Sequence, residues 1–233
     1  MFIYDNISFL VYNFVCCSIL FFSYNPIHIV FEKFITPYKN IYPTHKKIYF
    51  VSNLLKSIVL GIFSYKAFLI LFQYAYYNNW VVEDIKYLGA VYASLDMVSM
   101  FKVPKMQFNT IVHHTIVQFL YIISLIFLDF DKNSLANGVV IYAIFSTFAF
   151  LVNMYLALRL IIEDKNNLKL LASISSLIYQ VCCTINWSYQ IYFIYSFSNI
   201  SLIIRILYSI ILMYIVFDDI VLIKFLNKNS FLN

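Results

Sequence analysis

Apolar runs of roughly twenty residues alternate with short polar stretches along almost the whole sequence. At 1.5 Å per residue, a helix of that length crosses the hydrocarbon core of a bilayer, about 30 Å thick. The pattern predicts seven helices, over 7–24, 48–73, 85–101, 107–128, 136–161, 170–195 and 200–225. The third run is the shortest and least apolar. Residues 25–47 depart from the pattern. There Pro26, Pro37 and Pro43 are expected to interrupt any long helix. Lys33, Lys39, Lys46 and Lys47 lie among aromatic and aliphatic residues, which predicts a segment lying at the membrane interface.

Composition supports the membrane reading. Only 12% of residues are charged and mean hydropathy is +0.81, whereas a soluble domain carries about 25% charged residues. The expected fold class is an all-α integral membrane protein of about seven transmembrane helices. The many Phe, Tyr, Ile, Asn and Lys residues match AT-rich coding, so no single aromatic is read as functional. Cys16-Cys17 and Cys182-Cys183 sit inside apolar runs without CxxC spacing and read as small apolar fillers.

Charge gives the orientation. With the N-terminus outside, the inner loops hold Lys33, Lys39, Lys46, Lys47, Lys102, Lys105, Arg159, Lys165, Lys169, Lys224 and Lys228. The outer loops hold only Lys86 and Lys132, an asymmetry that fits the positive-inside rule and predicts N-out, C-in. The first run lacks a basic leader and a small-residue cleavage site, so it reads as a retained helix. Scattered basic residues make no contiguous stripe, and no nucleic-acid partner is expected. The sequons at Asn6 and Asn199 lie close to helix ends and read as unused. Residues 1–44 form an N-terminal helix with its interfacial loop, 45–226 a six-helix membrane domain, and 227–233 a short tail.

Chemistry concentrates in one stretch. Asp96 precedes a basic hinge, Lys102-Val103-Pro104-Lys105, and His113-His114 follow it. If the flanking helices are antiparallel, all three groups lie roughly 9–13 Å from the turn. Ionisable groups at membrane depth are costly and mark a functional-site hypothesis. Imidazole suits proton transfer near neutral pH or nucleophilic attack on an acyl group, with Asp96 orienting it. A structural role, with histidine paired to Asp96, Tyr or Ser, fits the sequence equally. Tyr92, Asp96 and Ser99 share one helix face, and Thr110, His114, Gln118 and Tyr121 another. Tyr92, Ser99, Gln118, Asn153, Gln180 and Thr184 are the polar positions expected to line a lipid or substrate groove. Adjacent histidines point about 100° apart instead of sharing a stripe at i, i+4, so no metal is expected.

The order of a buried Asp96, a short hinge, and a helix opening on His113-His114 resembles the TLC domain family. That family includes ceramide synthases, translocon-associated TRAM proteins and lipid-regulating members. Val51-Ser52 and Phe150-Leu151-Val152-Asn153, similar to the family's PFLN-like segment, add to the resemblance, which covers residues 45–226. The long polar signature that follows the histidine pair in ceramide synthases is missing. Ser146 and Thr147 stand where the family often has an acid, and Leu55 or Lys56 where it often has a histidine. The chain therefore resembles a branch outside the ceramide synthases.

The resemblance implies membrane lipid handling or regulation of lipid composition, and the missing signature favours a non-catalytic form. The alternative is a lipid acyltransferase using Asp96, His113 and His114, with acyl-CoA as co-substrate; otherwise no cofactor is expected. A transporter would be expected to show paired Gly- or Pro-interrupted helices, which are lacking. Implied partners are membrane lipids and a second copy of the chain, and the implied location is the endoplasmic reticulum or a related internal membrane.

Overall fold

The computed structural model describes residues 2–130, 134–196 and 200–231, with side chains from Asn6 onward. Lys132 and the sequon at Asn199 lie outside these residues. Among the described residues the chain forms nine helices and no strand: α1 (Phe2–Phe34), α2 (Thr36–Lys39), α3 (His45–Tyr77), α4 (Val82–Lys102), α5 (Phe108–Phe127), α6 (Leu135–Thr147), α7 (Phe150–Leu158), α8 (Lys165–Ser196) and α9 (Leu202–Lys228).

Six stretches are long and apolar enough to cross a membrane: Asn6–Phe34, His45–Tyr77, Phe108–Phe127, Leu135–Leu158, Lys165–Ser196 and Leu202–Lys228. The exterior is correspondingly apolar. Along α9, for example, Leu202, Ile203, Leu207, Ile210, Met213 and Phe217 all face outward. Large exposed apolar surface of this extent is unfavourable in water and is satisfied by lipid. The architecture is that of a multi-pass helical membrane protein.

Helix boundaries differ from the sequence expectation in two instructive places. Pro26 does not end the first helix, which continues to Phe34. A proline removes one backbone donor, and long membrane helices tolerate that loss. The segment expected at the interface is therefore largely helical, with Pro37 in the first turn of α2. Its elbow is pinned by Glu32, whose carboxylate accepts from Lys47 Nζ at 3.0 and 3.1 Å. Tyr38, wholly buried, meets His28 Nδ1 at 2.6 Å and packs on Phe31 and Phe50. Burial and the Glu32 carboxylate push its phenol above the ordinary range.

The second difference lies in the fifth expected run, which is broken into α6 and α7. Phe148 and Ala149 donate to Phe145 and Ser146 three residues back, at 3.1 Å each. That tightened, 3₁₀-type turn interrupts the α-helical ladder beside the polar core.

α4 carries Glu83, Asp84, Lys86, Asp96 and Lys102, and it is not among the six apolar stretches. It packs against α1, α3, α5 and α6. A helix covered by protein on several faces has no need of a lipid-compatible surface all round, which accounts for its weak hydropathy. Lys86 Nζ donates to Asn6 Oδ1 and Lys66 pairs with Asp84, each at 2.7 Å, tying this helix to α1 and α3. The Asn6 amide donates to Leu125 O at 2.7 Å and is buried, so the first sequon is engaged in packing. Between α4 and α5, Lys105 takes a left-handed conformation (φ 57°) that helps reverse the chain after Pro104.

Candidate functional site

The reversal at Pro104 brings Asp96 and the histidines side by side, as their spacing predicts. His114 Nδ1 lies 3.1 Å from Asp96 Oδ2. The third member comes from α3: Lys56 Nζ donates to Asp96 Oδ1 at 2.7 Å and lies 3.3 Å from His114 Nε2. Asp96, His114 and Lys56 are each buried. An ammonium at Nε2 donates to that nitrogen's lone pair, which places the imidazole proton on Nδ1, facing the carboxylate. The His114–Asp96 approach is at ion-pair distance but lacks hydrogen-bond alignment.

His113 turns the other way, as adjacent helical residues must. Its Nδ1 lies 3.1 Å from Asp218 Oδ2 on α9, again without hydrogen-bond alignment. The neighbouring Asp219 is buried and accepts from three uncharged donors. These are Tyr179 Oη at 2.7 Å, and Tyr142 Oη and Trp187 Nε1 at 3.3 Å each. The polar core thus joins Lys56 of α3, Asp96 of α4, the histidines of α5, Tyr142 of α6, Tyr179 and Trp187 of α8, and Asp218-Asp219 of α9.

An apolar groove lies beside this core. Its cavity volume is about 70 Å³. Its walls run from Ile85 to Ala93 on α4, Val117 to Leu125 on α5, Val139 to Ile144 on α6 and Tyr208 to Ile215 on α9. Eight residues of α4 correspond to about 12 Å of helix. All four walls lie in the half of the bundle away from the Pro104 hinge. The ionic residues of the buried core lie in the other half, while Lys86 lines the groove itself. Tyr92 and Tyr142 border the groove where the halves meet, and Tyr142 donates to Asp219. Tyr92 places its hydroxyl beside Ser146, just before the α6–α7 break. The groove's surface is almost wholly apolar, and the hydroxyls of Tyr92 and Tyr142 turn from it toward Ser146 and Asp219.

The remaining expected groove residues separate into several roles. Gln118 is half-buried near the histidines, and its Oε1 is buried without a hydrogen-bond partner. Ser99 is buried, but its hydroxyl donates to Asp96 O in its own helix at 2.8 Å. Asn153 donates to Ala149 O at 3.3 Å and steadies the start of α7. Gln180 donates to Ser176 and Asn227, joining α8 to α9. Thr184 faces outward. Tyr92 alone of the six borders the groove.

Sequence reasoning names no partner for Lys56 and no role for Asp218-Asp219. Two carboxylates that precede the end of an apolar helix by more than two turns were the available signal. Tyr142, Tyr179 and Trp187 carried none among so many aromatics.

The fold and site define a multi-pass helical membrane protein with a buried ionic core. No protein-family model, curated protein or solved structure matches the chain.

Proposed function

We propose that this chain handles membrane lipids, taking an acyl chain in the groove. The observation that carries this reading is an almost wholly apolar groove walled by four helices, with Tyr92 and Tyr142 standing between it and the ionic core. Ligand pockets are lined predominantly by apolar side chains. The resemblance of Asp96, His113-His114 and Phe150–Asn153 to the TLC domain family supports the same reading. In this account α4 is the seventh span, and the chain sits N-out and C-in in an internal membrane such as the endoplasmic reticulum.

A test follows from Gly89, which lines the groove. A Cβ there would meet the Tyr121 ring at 3.2 and 3.3 Å. Gly89→Leu is therefore expected to fill the groove. Mass spectrometry of lipid extracted from the delipidated, re-loaded protein should find bound acyl lipid with wild type and at least a tenfold loss with the variant. Equal retention by both would exclude the groove as the binding site.

A second reading, a lipid acyltransferase with acyl-CoA as co-substrate, is favoured by the approach of His114 Nδ1 to Asp96 Oδ2. There Asp96 would hold the imidazole's orientation at Nδ1 and Lys56 would give up Nε2, where His114 would take the proton of the reacting hydroxyl or amine. The two readings separate on Asp96→Asn. Lipid retention with loss of any change in cellular lipid composition marks an enzyme, whereas retention of both marks a non-catalytic factor.

A further inference from the structure

We propose that Asp96, His113 and His114 form a binding site for one divalent transition-metal ion of the zinc class. The inference stands whatever occupies the groove. One donor atom from each of the three residues lies within 4.8 Å of the other two. Two imidazoles and a carboxylate are donors that suit zinc and its neighbours in the first transition row.

The Asp96–His114 approach already has the spacing of a chelate, and the 4.8 Å spread of the trio closes toward about 3.3 Å when an ion binds. Asp96 Oδ2 and His114 Nδ1 are 3.1 Å apart. Two ligand atoms of a tetrahedral zinc ion, each bonded at about 2.0–2.1 Å, stand about 3.3 Å apart. Yet both atoms are fully buried and neither has an aligned hydrogen bond. Buried polar atoms are nearly always paired, and a cation between Asp96 Oδ2 and His114 Nδ1 would satisfy both. Lys56 occupies the other edge of both groups, at Asp96 Oδ1 and His114 Nε2. Oδ2 and Nδ1 are left for the ion. Asp218 approaches His113 Nδ1 at 3.1 Å, leaving the second ring nitrogen for the ion, with the acid as its outer partner.

Charge points the same way. Asp96, Asp218 and Asp219 bring three carboxylates into the core. Among the described residues their ammonium partner is Lys56, and Asp219 is held by uncharged Tyr142, Tyr179 and Trp187. With neutral imidazoles the core carries two negative charges in excess, which one divalent ion cancels. The divergence of adjacent histidines rules out a chelate along α5 alone; Asp96, arriving from α4, supplies the donor between them. When the ion takes Nδ1, the His114 proton moves to Nε2. The Lys56 ammonium then gives up that contact and keeps Asp96. Lys56 consequently opposes metal binding, and its removal should strengthen it.

The test uses full-length protein in detergent, stripped with chelator and titrated with Zn²⁺, with bound metal counted by elemental mass spectrometry. One zinc per chain is expected for wild type, with at least tenfold tighter binding for Lys56→Met and at least tenfold weaker binding for Asp96→Asn and His114→Ala. Wild type loaded with Co²⁺ needs no variant to fold and should show the intense visible bands of a four-coordinate site. The proposal is overturned if wild type and Lys56→Met bind no zinc, or if Co²⁺ retains the weak spectrum of the hydrated ion. It is also overturned if Asp96→Asn and His114→Ala bind zinc as tightly as wild type, which would place the metal elsewhere.

Discussion

At the residue scale, the governing contact is between Lys56 and Asp96, 2.7 Å apart and shielded from the surroundings. Removing one member of a buried ion pair leaves an uncompensated charge, at a cost of about 3–5 kcal/mol. Replacing both with neutral groups avoids that cost. Lys56→Met should therefore lower the apparent melting temperature in detergent, with chelator present. The double variant Lys56→Met/Asp96→Leu should recover most of the loss. Equal destabilisation by the single and double variants would mean that the pair contributes through packing alone.

At the scale of the element, the case turns on α4. Its 21 residues extend about 31 Å, enough to cross the hydrocarbon core, though its composition alone does not mark it as a span. In a background with Cys16, Cys17, Cys182 and Cys183 replaced by serine, cysteines can be placed at Asn79 and Gln107, which are exposed at its two ends. Labelling with a membrane-impermeant maleimide should modify the two from opposite sides of the membrane, with Gln107→Cys on the cytoplasmic side. Labelling of both from one side would make α4 a re-entrant or surface helix and remove the seven-span account.

The same elements show what was legible beforehand. Long apolar runs fixed the position of most helices because lipid requires an apolar surface. The meeting of Asp96 with the histidines follows from their similar distance, roughly 9–13 Å, to the hinge. Three features were hidden, each because it depends on tertiary neighbours. Pro26 reads as a breaker, but its missing hydrogen bond is tolerated within a long helix. The break after Thr147 has no Gly or Pro to announce it. Asp218 and Asp219 come from the far end of the chain, and only folding brings α9 onto α5.

At the scale of the molecule, the bundle divides into two halves along its axis. The half beside the Pro104 hinge contains the buried core of Lys56, Asp96, the histidines and Asp218-Asp219. The other contains a mostly apolar groove, with Lys86 in its lining, walled by α4, α5, α6 and α9. Outside, the protein is apolar almost everywhere, so any lipid probe will also meet Phe14, Phe22 and Ile203 on its exterior. Specific occupancy is distinguished from this annular contact by where the probe reacts. The decisive measurement is photo-crosslinking of the purified, reconstituted protein with a phospholipid carrying a diazirine on its acyl chain, followed by peptide mapping. The account predicts label concentrated on groove residues such as Val117, Leu120, Val140 and Ala143, and its loss from them in Gly89→Leu. Label confined to outward-facing residues such as Phe14, Phe22 and Ile203, unchanged by that substitution, would contradict it.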